Sequence, residues 1–111
     1  MERIILIFVM VWFFSSCANP GDPSAGQVSN EEDMLIYGKK IYQTQCIVCH
    51  GEAGNAKIAQ ASDLTISKLN ETSIGDLVYH GKRAMPAFKD RLGEPEILAV
   101  SKYVLTLKKS K

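Results

Sequence analysis

Residues 46–50 read Cys46-Ile47-Val48-Cys49-His50, with two cysteines three positions apart and a histidine directly after the second. This spacing is typical of covalent haem attachment, because two thiols so placed at the end of a helix can form thioethers with both vinyl groups of a porphyrin. His50 would then lie beneath the iron, for which imidazole is a good ligand, and a carbonyl would hold its second ring nitrogen. The motif predicts one haem c, a covalently bound iron protoporphyrin, on Cys46 and Cys49 with His50 as an axial ligand.

Two other kinds of site use paired cysteines. A dithiol redox centre requires a thioredoxin-like strand-helix-strand setting, and a structural zinc site requires a second pair of ligands. The chain has neither pattern, since no cysteine follows Cys49 and the only other histidine is His80. Haem attachment is therefore the favoured interpretation.

The second axial ligand has two candidates after the motif, Met85 and His80. Met85 is the only methionine there, and it lies in the stretch from Gly81 to Phe88, where Gly81 can close the preceding helix and Pro86 stiffens the chain. A thioether favours ferrous iron and so raises the reduction potential relative to two histidines. Core packing is the alternative role for Met85. His80, at a predicted helix end, is better interpreted as a surface or propionate-side residue.

The N-terminus has the layout of an export signal. An apolar run of eleven residues, 4–14, follows Met1-Glu2-Arg3 and leads into Ser15-Ser16-Cys17. A membrane-spanning helix needs about twenty apolar residues, so this run fits a signal peptide better than a permanent span. Small residues before a cysteine resemble the bacterial lipoprotein signal, in which Cys17 is lipidated. An uncleaved anchor, or an ordinary signal that discards Cys17, remains the alternative.

Residues 17–30 are dense in Pro, Gly, Ser and Asp and show no apolar period. The predicted organisation is therefore a lipoprotein-type signal peptide over 1–16, a lipid-anchored flexible tether over 17–30 and a haem domain over 31–111. Such a protein would be an exported, membrane-anchored lipoprotein facing the periplasm or the cell exterior.

Helical patterns flank the motif on both sides. Ser29 and Glu32 have capping-box spacing, and the stripe that follows is mostly apolar: Met34, Tyr37, Gly38, Ile41, Tyr42 and Gln45. Gly38 in this stripe would let another helix cross at short range. The last helix follows Gly93-Glu94-Pro95-Glu96, and four apolar residues then recur at helical spacing: Ile97, Val100, Val104 and Leu107.

A shorter helix is predicted between these two. Ser73 followed by Asp76 has cap-like spacing, and Gly81 would end the helix. No segment shows sustained strand alternation, so the chain is predicted to be all-α. The sequence between His50 and Ser73, which includes Asp63-Leu64-Thr65, shows no regular pattern of apolar residues.

In order, Gly38, Tyr42, Cys46–Gly51, Gly81–Pro86 and Tyr103 resemble class I cytochromes c, over about residues 33 to 108. The resemblance implies a small cytochrome c fold, in which the N- and C-terminal helices cross and short helices and loops wrap one haem. Val100 and Tyr103 would face Gly38 and Tyr42 at that crossing. It also implies iron ligation by His50 and Met85, and one-electron transfer between larger redox complexes.

The remaining features concern partners. No acid-base or nucleophilic constellation lies beside the motif, so we expect an electron-transfer protein and not an enzyme. The net charge of +1 suggests no nucleic-acid partner. Four basic residues flank the predicted ligand loop: Lys82, Arg83, Lys89 and Arg91. They would either attract an acidic patch on a respiratory donor or acceptor, or form an ordinary solvated surface. A haem c subunit of a larger oxidase or dehydrogenase, and a ligand-binding haem sensor, stay as alternatives.

Overall fold

The computed structural model describes residues 30–109. The predicted signal peptide, Cys17 and nearly all of the predicted tether lie outside them. Within the described part the helices are α1 (Glu31–Gln45), α2 (Ile47–His50), α3 (Glu71–His80) and α4 (Glu94–Thr106), with short 3-10 turns at Ile58–Gln60 and Leu64–Ile66. Residues 30–109 form no strand, and their one β-type contact is an isolated bridge between Lys82 and Met85. The all-α prediction is confirmed.

Helix α1 begins one position later than a cap at Ser29 predicts. Asn30 is the N-cap, and its side-chain oxygen accepts a hydrogen bond from the Asp33 amide at 2.8 Å. This bond satisfies one of the amides that a helix start leaves unpaired, and the acidic residues 31–33 interact favourably with the positive end of the helix dipole. No helix among residues 30–109 has both the length and the apolar character needed to cross a membrane.

Helices α1 and α4 cross at Gly38, as predicted. A Cβ atom on Gly38 would lie 2.0 Å from the carbonyl oxygen of Ala99, so only glycine permits this separation. Tyr42 of α1 and Val100 of α4 are fully buried beside the contact. Burial of each large apolar side chain contributes about 1.5–3 kcal/mol, which makes the crossing the centre of the core.

Helix α4 starts as predicted, with Gly93 as its N-cap and Pro95 in its first turn. Amides in the first turn have no acceptor within the helix, so proline, which lacks an amide hydrogen, costs no hydrogen bond there. The Glu96 carboxylate accepts a hydrogen bond from the Gly93 amide. Ile97, Val100 and Val104 are buried. Leu107 lies just past the helix end and packs against the core.

The predicted cap of α3 is wrong. The N-cap is Asn70, whose side-chain oxygen accepts a hydrogen bond from the Ser73 amide at 2.9 Å, so Ser73 lies inside the first turn. Asparagine and serine both suit this position, and the extended backbone of Asn70 places its side chain within reach of that amide. Gly81 ends the helix as predicted, with a φ of 71°.

Candidate haem site

Helix α2 carries the Cys-x-x-Cys-His motif. Cys46 caps the end of α1 and the start of α2, and its amide donates to the Tyr42 carbonyl at 2.9 Å. Cys46 and Cys49 are both half-buried free thiols. Burial, together with the nearby Cys49 thiol, raises the pKa of Cys46 to about 11. The Cys46 thiol is therefore protonated at neutral pH, and the two sulfurs are not joined to each other.

One ring nitrogen of His50 takes part in a hydrogen bond. Its Nδ1 lies 3.0 Å from the carbonyl oxygen of Ser62. A carbonyl oxygen can only accept, so Nδ1 carries the proton and Nε2 is left with a lone pair for a metal. This contact supplies the carbonyl that the sequence could not identify.

The segment behind His50 is fixed by a short turn. The Asp63 carboxylate accepts hydrogen bonds from the Thr65 amide at 2.9 Å and from the Thr65 hydroxyl at 2.6 Å. Mainly through the Thr65 hydroxyl, this arrangement lowers the pKa of Asp63. The carbonyl of buried Thr65 also accepts from the Lys109 amide at 2.9 Å. The residues that follow Ser62 are thus held both by the Asp63 side chain and by the Lys109 amide beyond α4.

Tyr42 connects the crossing to the motif. Its hydroxyl donates a hydrogen bond to the carbonyl oxygen of Gly51 at 2.6 Å. Its ring packs against that of Tyr103, with centroids 5.3 Å apart. The apolar stripe predicted the position of the ring, but no sequence pattern indicates the partner of the hydroxyl.

Met85 lies in a closed turn after α3. Two backbone hydrogen bonds of 3.1 and 3.0 Å join Lys82 and Met85, and the Phe88 amide donates to the Val78 carbonyl at 2.9 Å. Met85 is half-buried and packs against the hydrophobic core. His80, the other candidate ligand, is exposed at the last position of α3, and its ring lies edge-on to Tyr79 with centroids 4.8 Å apart.

The donor set fits a haem of the c type. It offers two free thiols, an imidazole whose Nε2 is available and a thioether held in a hydrogen-bonded turn. The two thiols can form thioethers with the porphyrin vinyl groups, and imidazole and methionine thioether are ligands that suit haem iron. The four basic residues near the Met85 turn are all exposed, and the Arg91 guanidinium lies 4.3 Å above the centroid of the Phe88 ring.

Comparison with known proteins gives a consistent result. Residues 35–104 match the family described as Cytochrome C oxidase, cbb3-type, subunit III. Cytochrome c6 of Anabaena variabilis is 40% identical over 75 residues, which cover 63% of this chain and 87% of that protein. Cytochrome c6 of Cladophora glomerata is 37% identical over 84 residues, covering 67% and 89%.

Solved structures agree with the sequence relatives. The crystal structure of cytochrome c6C from Synechococcus sp. PCC 7002 superposes with a TM-score of 0.56 at 33% identity, covering 63% of this chain and 92% of that one. Cytochrome c6 from the diatom Phaeodactylum tricornutum gives a TM-score of 0.54 at 32% identity, covering 65% and 91%. The chain therefore belongs to the class I c-type cytochromes, a family of electron carriers that bind one covalently attached haem c.

Proposed function

We propose that this chain is a one-electron carrier in which Cys46 and Cys49 hold haem c and His50 and Met85 are the two axial ligands of its iron. The observation that carries the proposal is the contact between His50 Nδ1 and the Ser62 carbonyl at 3.0 Å. It fixes the tautomer with Nε2 free, which is what an axial histidine requires.

Burial and backbone bonding support Met85 over His80 as the second ligand. The Met85 thioether belongs to a half-buried turn that is anchored to α3 by the bond from Phe88 to Val78, whereas His80 is exposed. When bound, the haem supplies an iron that accepts and releases one electron. With His50 and Met85 as its two ligands, the iron would have no open position for a substrate, which is what electron transfer requires and catalysis does not.

The exposed basic residues support a docking role for the Met85 side of the molecule. Four exposed basic residues lie in or shortly after the turn that carries Met85: Lys82, Arg83, Lys89 and Arg91. Positive charges so placed would steer an acidic patch on a redox partner, such as a respiratory donor or acceptor. Such steering is screened by salt, so the rate of electron exchange with an acidic partner should fall as ionic strength rises.

Membrane attachment through Cys17 is a further part of the proposal. The run of small residues before Cys17 and the Pro- and Gly-containing stretch after it support a lipid anchor followed by a tether. The haem domain would then work at the outer face of a membrane, in the periplasm or at the cell exterior. Replacing Cys17 by Ser should move the protein from the membrane fraction to the soluble exported fraction.

A second function, as the haem c subunit of a larger oxidase or dehydrogenase, is favoured by one observation. Residues 35–104 match a family described as an oxidase subunit. Purification in mild detergent separates the two functions, because a bound subunit would remain with a larger complex whereas a carrier would elute alone. A ligand-binding haem sensor is tested by carbon monoxide, which should bind the reduced protein poorly if Met85 occupies the iron.

Covalent attachment is the first test of the proposed site. The chain is expressed in cells that attach haem c, and the protein is extracted with acid and acetone. The c-type spectrum should stay with the wild-type protein and with the Cys17→Ser control. The Cys49→Ala variant should lose one thioether and show a shifted spectrum. If acid and acetone remove the haem from the wild-type chain, the proposal is wrong.

A further inference from the structure

Tyr42 belongs to the helix crossing, yet its hydroxyl reaches the haem motif. The side chain is fully buried, and its hydroxyl donates to the Gly51 carbonyl at 2.6 Å. Gly51 directly follows His50. The bond therefore connects the middle of the core with the residue next to the proposed axial histidine.

The backbone around His50 is otherwise held by local bonds. The His50 carbonyl accepts from the Ala56 amide at 2.9 Å, and the Gly51 amide donates to the Ile47 carbonyl at 2.9 Å. The Gly51 carbonyl also accepts from the Gly54 amide at 3.1 Å. These partners all lie within residues 47–56, whereas Tyr42 adds a bond from the long helix α1.

The donor itself is rigid. The Tyr42 ring packs against the ring of Tyr103 at a tilt of 56°, and burial leaves the side chain no room to change rotamer. The same burial raises the pKa of Tyr42 to about 12, so the phenol keeps its proton and remains a donor throughout the neutral range. The Gly51 carbonyl is thus held in place by the core.

We infer that Tyr42 is a positioning residue that acts through Gly51 to set the orientation of the His50 imidazole, and thereby tunes the reduction potential of the haem. The inference rests on the proposed function, in which His50 is an axial ligand. Outer partners of a ligand influence both its orientation and its basicity, and both affect the relative stability of ferric and ferrous iron.

The test compares two single-hydroxyl deletions on α1, Tyr42→Phe and Tyr37→Phe. The Tyr37 hydroxyl donates to Glu96 at 3.0 Å, so it also links α1 to α4, but its bond does not involve the motif. Both variants and the wild type are purified with haem attached. Their midpoint potentials and the electron paramagnetic resonance g-values of the oxidised form are then measured. We expect both quantities to shift in Tyr42→Phe and to stay at wild-type values in Tyr37→Phe.

Equal potentials and equal g-values in the two variants would overturn the inference, even if Tyr42→Phe were less stable. If Tyr42→Phe does not mature, proton NMR of the reduced wild-type protein decides. A slowly exchanging Tyr42 hydroxyl close to Gly51 supports the inference, whereas a rapidly exchanging hydroxyl overturns it. Failure of the proposed function would be recognised separately, because the wild-type protein would then lack covalent haem or its iron would have an axial ligand other than His50.

Discussion

The α1–α4 crossing and the segments that carry the proposed ligands are built in different ways. At the crossing, close packing sets the geometry: Gly38, which has no side chain, admits the Ala99 carbonyl, and Tyr42 and Val100 fill the buried space beside it. Behind His50 and around Met85, hydrogen bonds of the backbone set the geometry, through Ser62 and the turn between Lys82 and Met85. We therefore expect substitutions at the crossing to change mainly the stability, and substitutions in the ligand segments to change the properties of the haem as well.

Gly38→Ala should have the largest effect, because the new methyl group would overlap the Ala99 carbonyl at 2.0 Å. We expect a loss of about 3 kcal/mol in the free energy of unfolding. Gly75→Ala is the matched control in α3, where the new atom would lie 3.6 Å from the Ser101 hydroxyl. It should be neutral or stabilising by up to about 1 kcal/mol. Denaturant unfolding measures both, and equal effects would contradict the account of the crossing.

Gly81→Ala tests the ligand side of the comparison. Gly81 has a φ of 71°, and a Cβ there would lie 2.6 Å from the Met85 carbonyl oxygen. We expect a loss of about 2 kcal/mol from strain, together with displacement of the Met85 turn. Unlike Gly38→Ala, this change should also lower the reduction potential, which potentiometry can show. A destabilised variant with an unchanged potential would mean that the turn does not hold a ligand.

Asn70→Ala should have a smaller effect, confined to the start of α3. Loss of the bond from the Ser73 amide to the Asn70 side chain should cost about 1 kcal/mol. Ser73→Ala keeps that amide and should change the stability by less than about 0.5 kcal/mol. Thermal unfolding of the two variants distinguishes the cap seen in the structure from the one predicted at Ser73.

Asp63→Asn should have the smallest effect on stability, and that effect should depend on pH. The folded-state pKa of Asp63 is lowered below the ordinary value of 3.8, first of all by the Thr65 hydroxyl. Its contribution is therefore present above pH 3.8 and is lost as the pH falls through the lower folded-state value. Thermal unfolding from neutral to acidic pH should show Asp63→Asn less stable than the wild type at pH 7, with the difference shrinking in acid. A constant difference would contradict this role.

The structural features that the sequence predicted correctly are those that depend on a periodic pattern or a fixed spacing of residues. The all-α fold, the crossing at Gly38 and the end of α3 at Gly81 each follow from a period or from a residue with special backbone freedom. The caps at Ser29 and Ser73 were wrong because several neighbouring polar residues can cap a helix, and the local backbone decides which one does.

The sequence identifies the proposed site only through its side chains. Cysteine, histidine and methionine reveal their chemistry by type, so the motif and Met85 could be proposed as haem-binding residues. The Ser62 carbonyl and the Gly51 carbonyl could not, because every residue carries a carbonyl and only the folded route of the chain selects one.

The far-red absorption of the oxidised protein tests the central claim most directly, because a weak band there arises from a bond between methionine sulfur and ferric haem iron. The spectrum is recorded for the wild type, for Met85→Ala and for Met34→Leu, a conservative control in α1 where Met34 packs against the core. We predict the band in the wild type and in Met34→Leu and its loss in Met85→Ala. A wild-type protein without the band, or a Met85→Ala variant that keeps it, would contradict ligation by Met85.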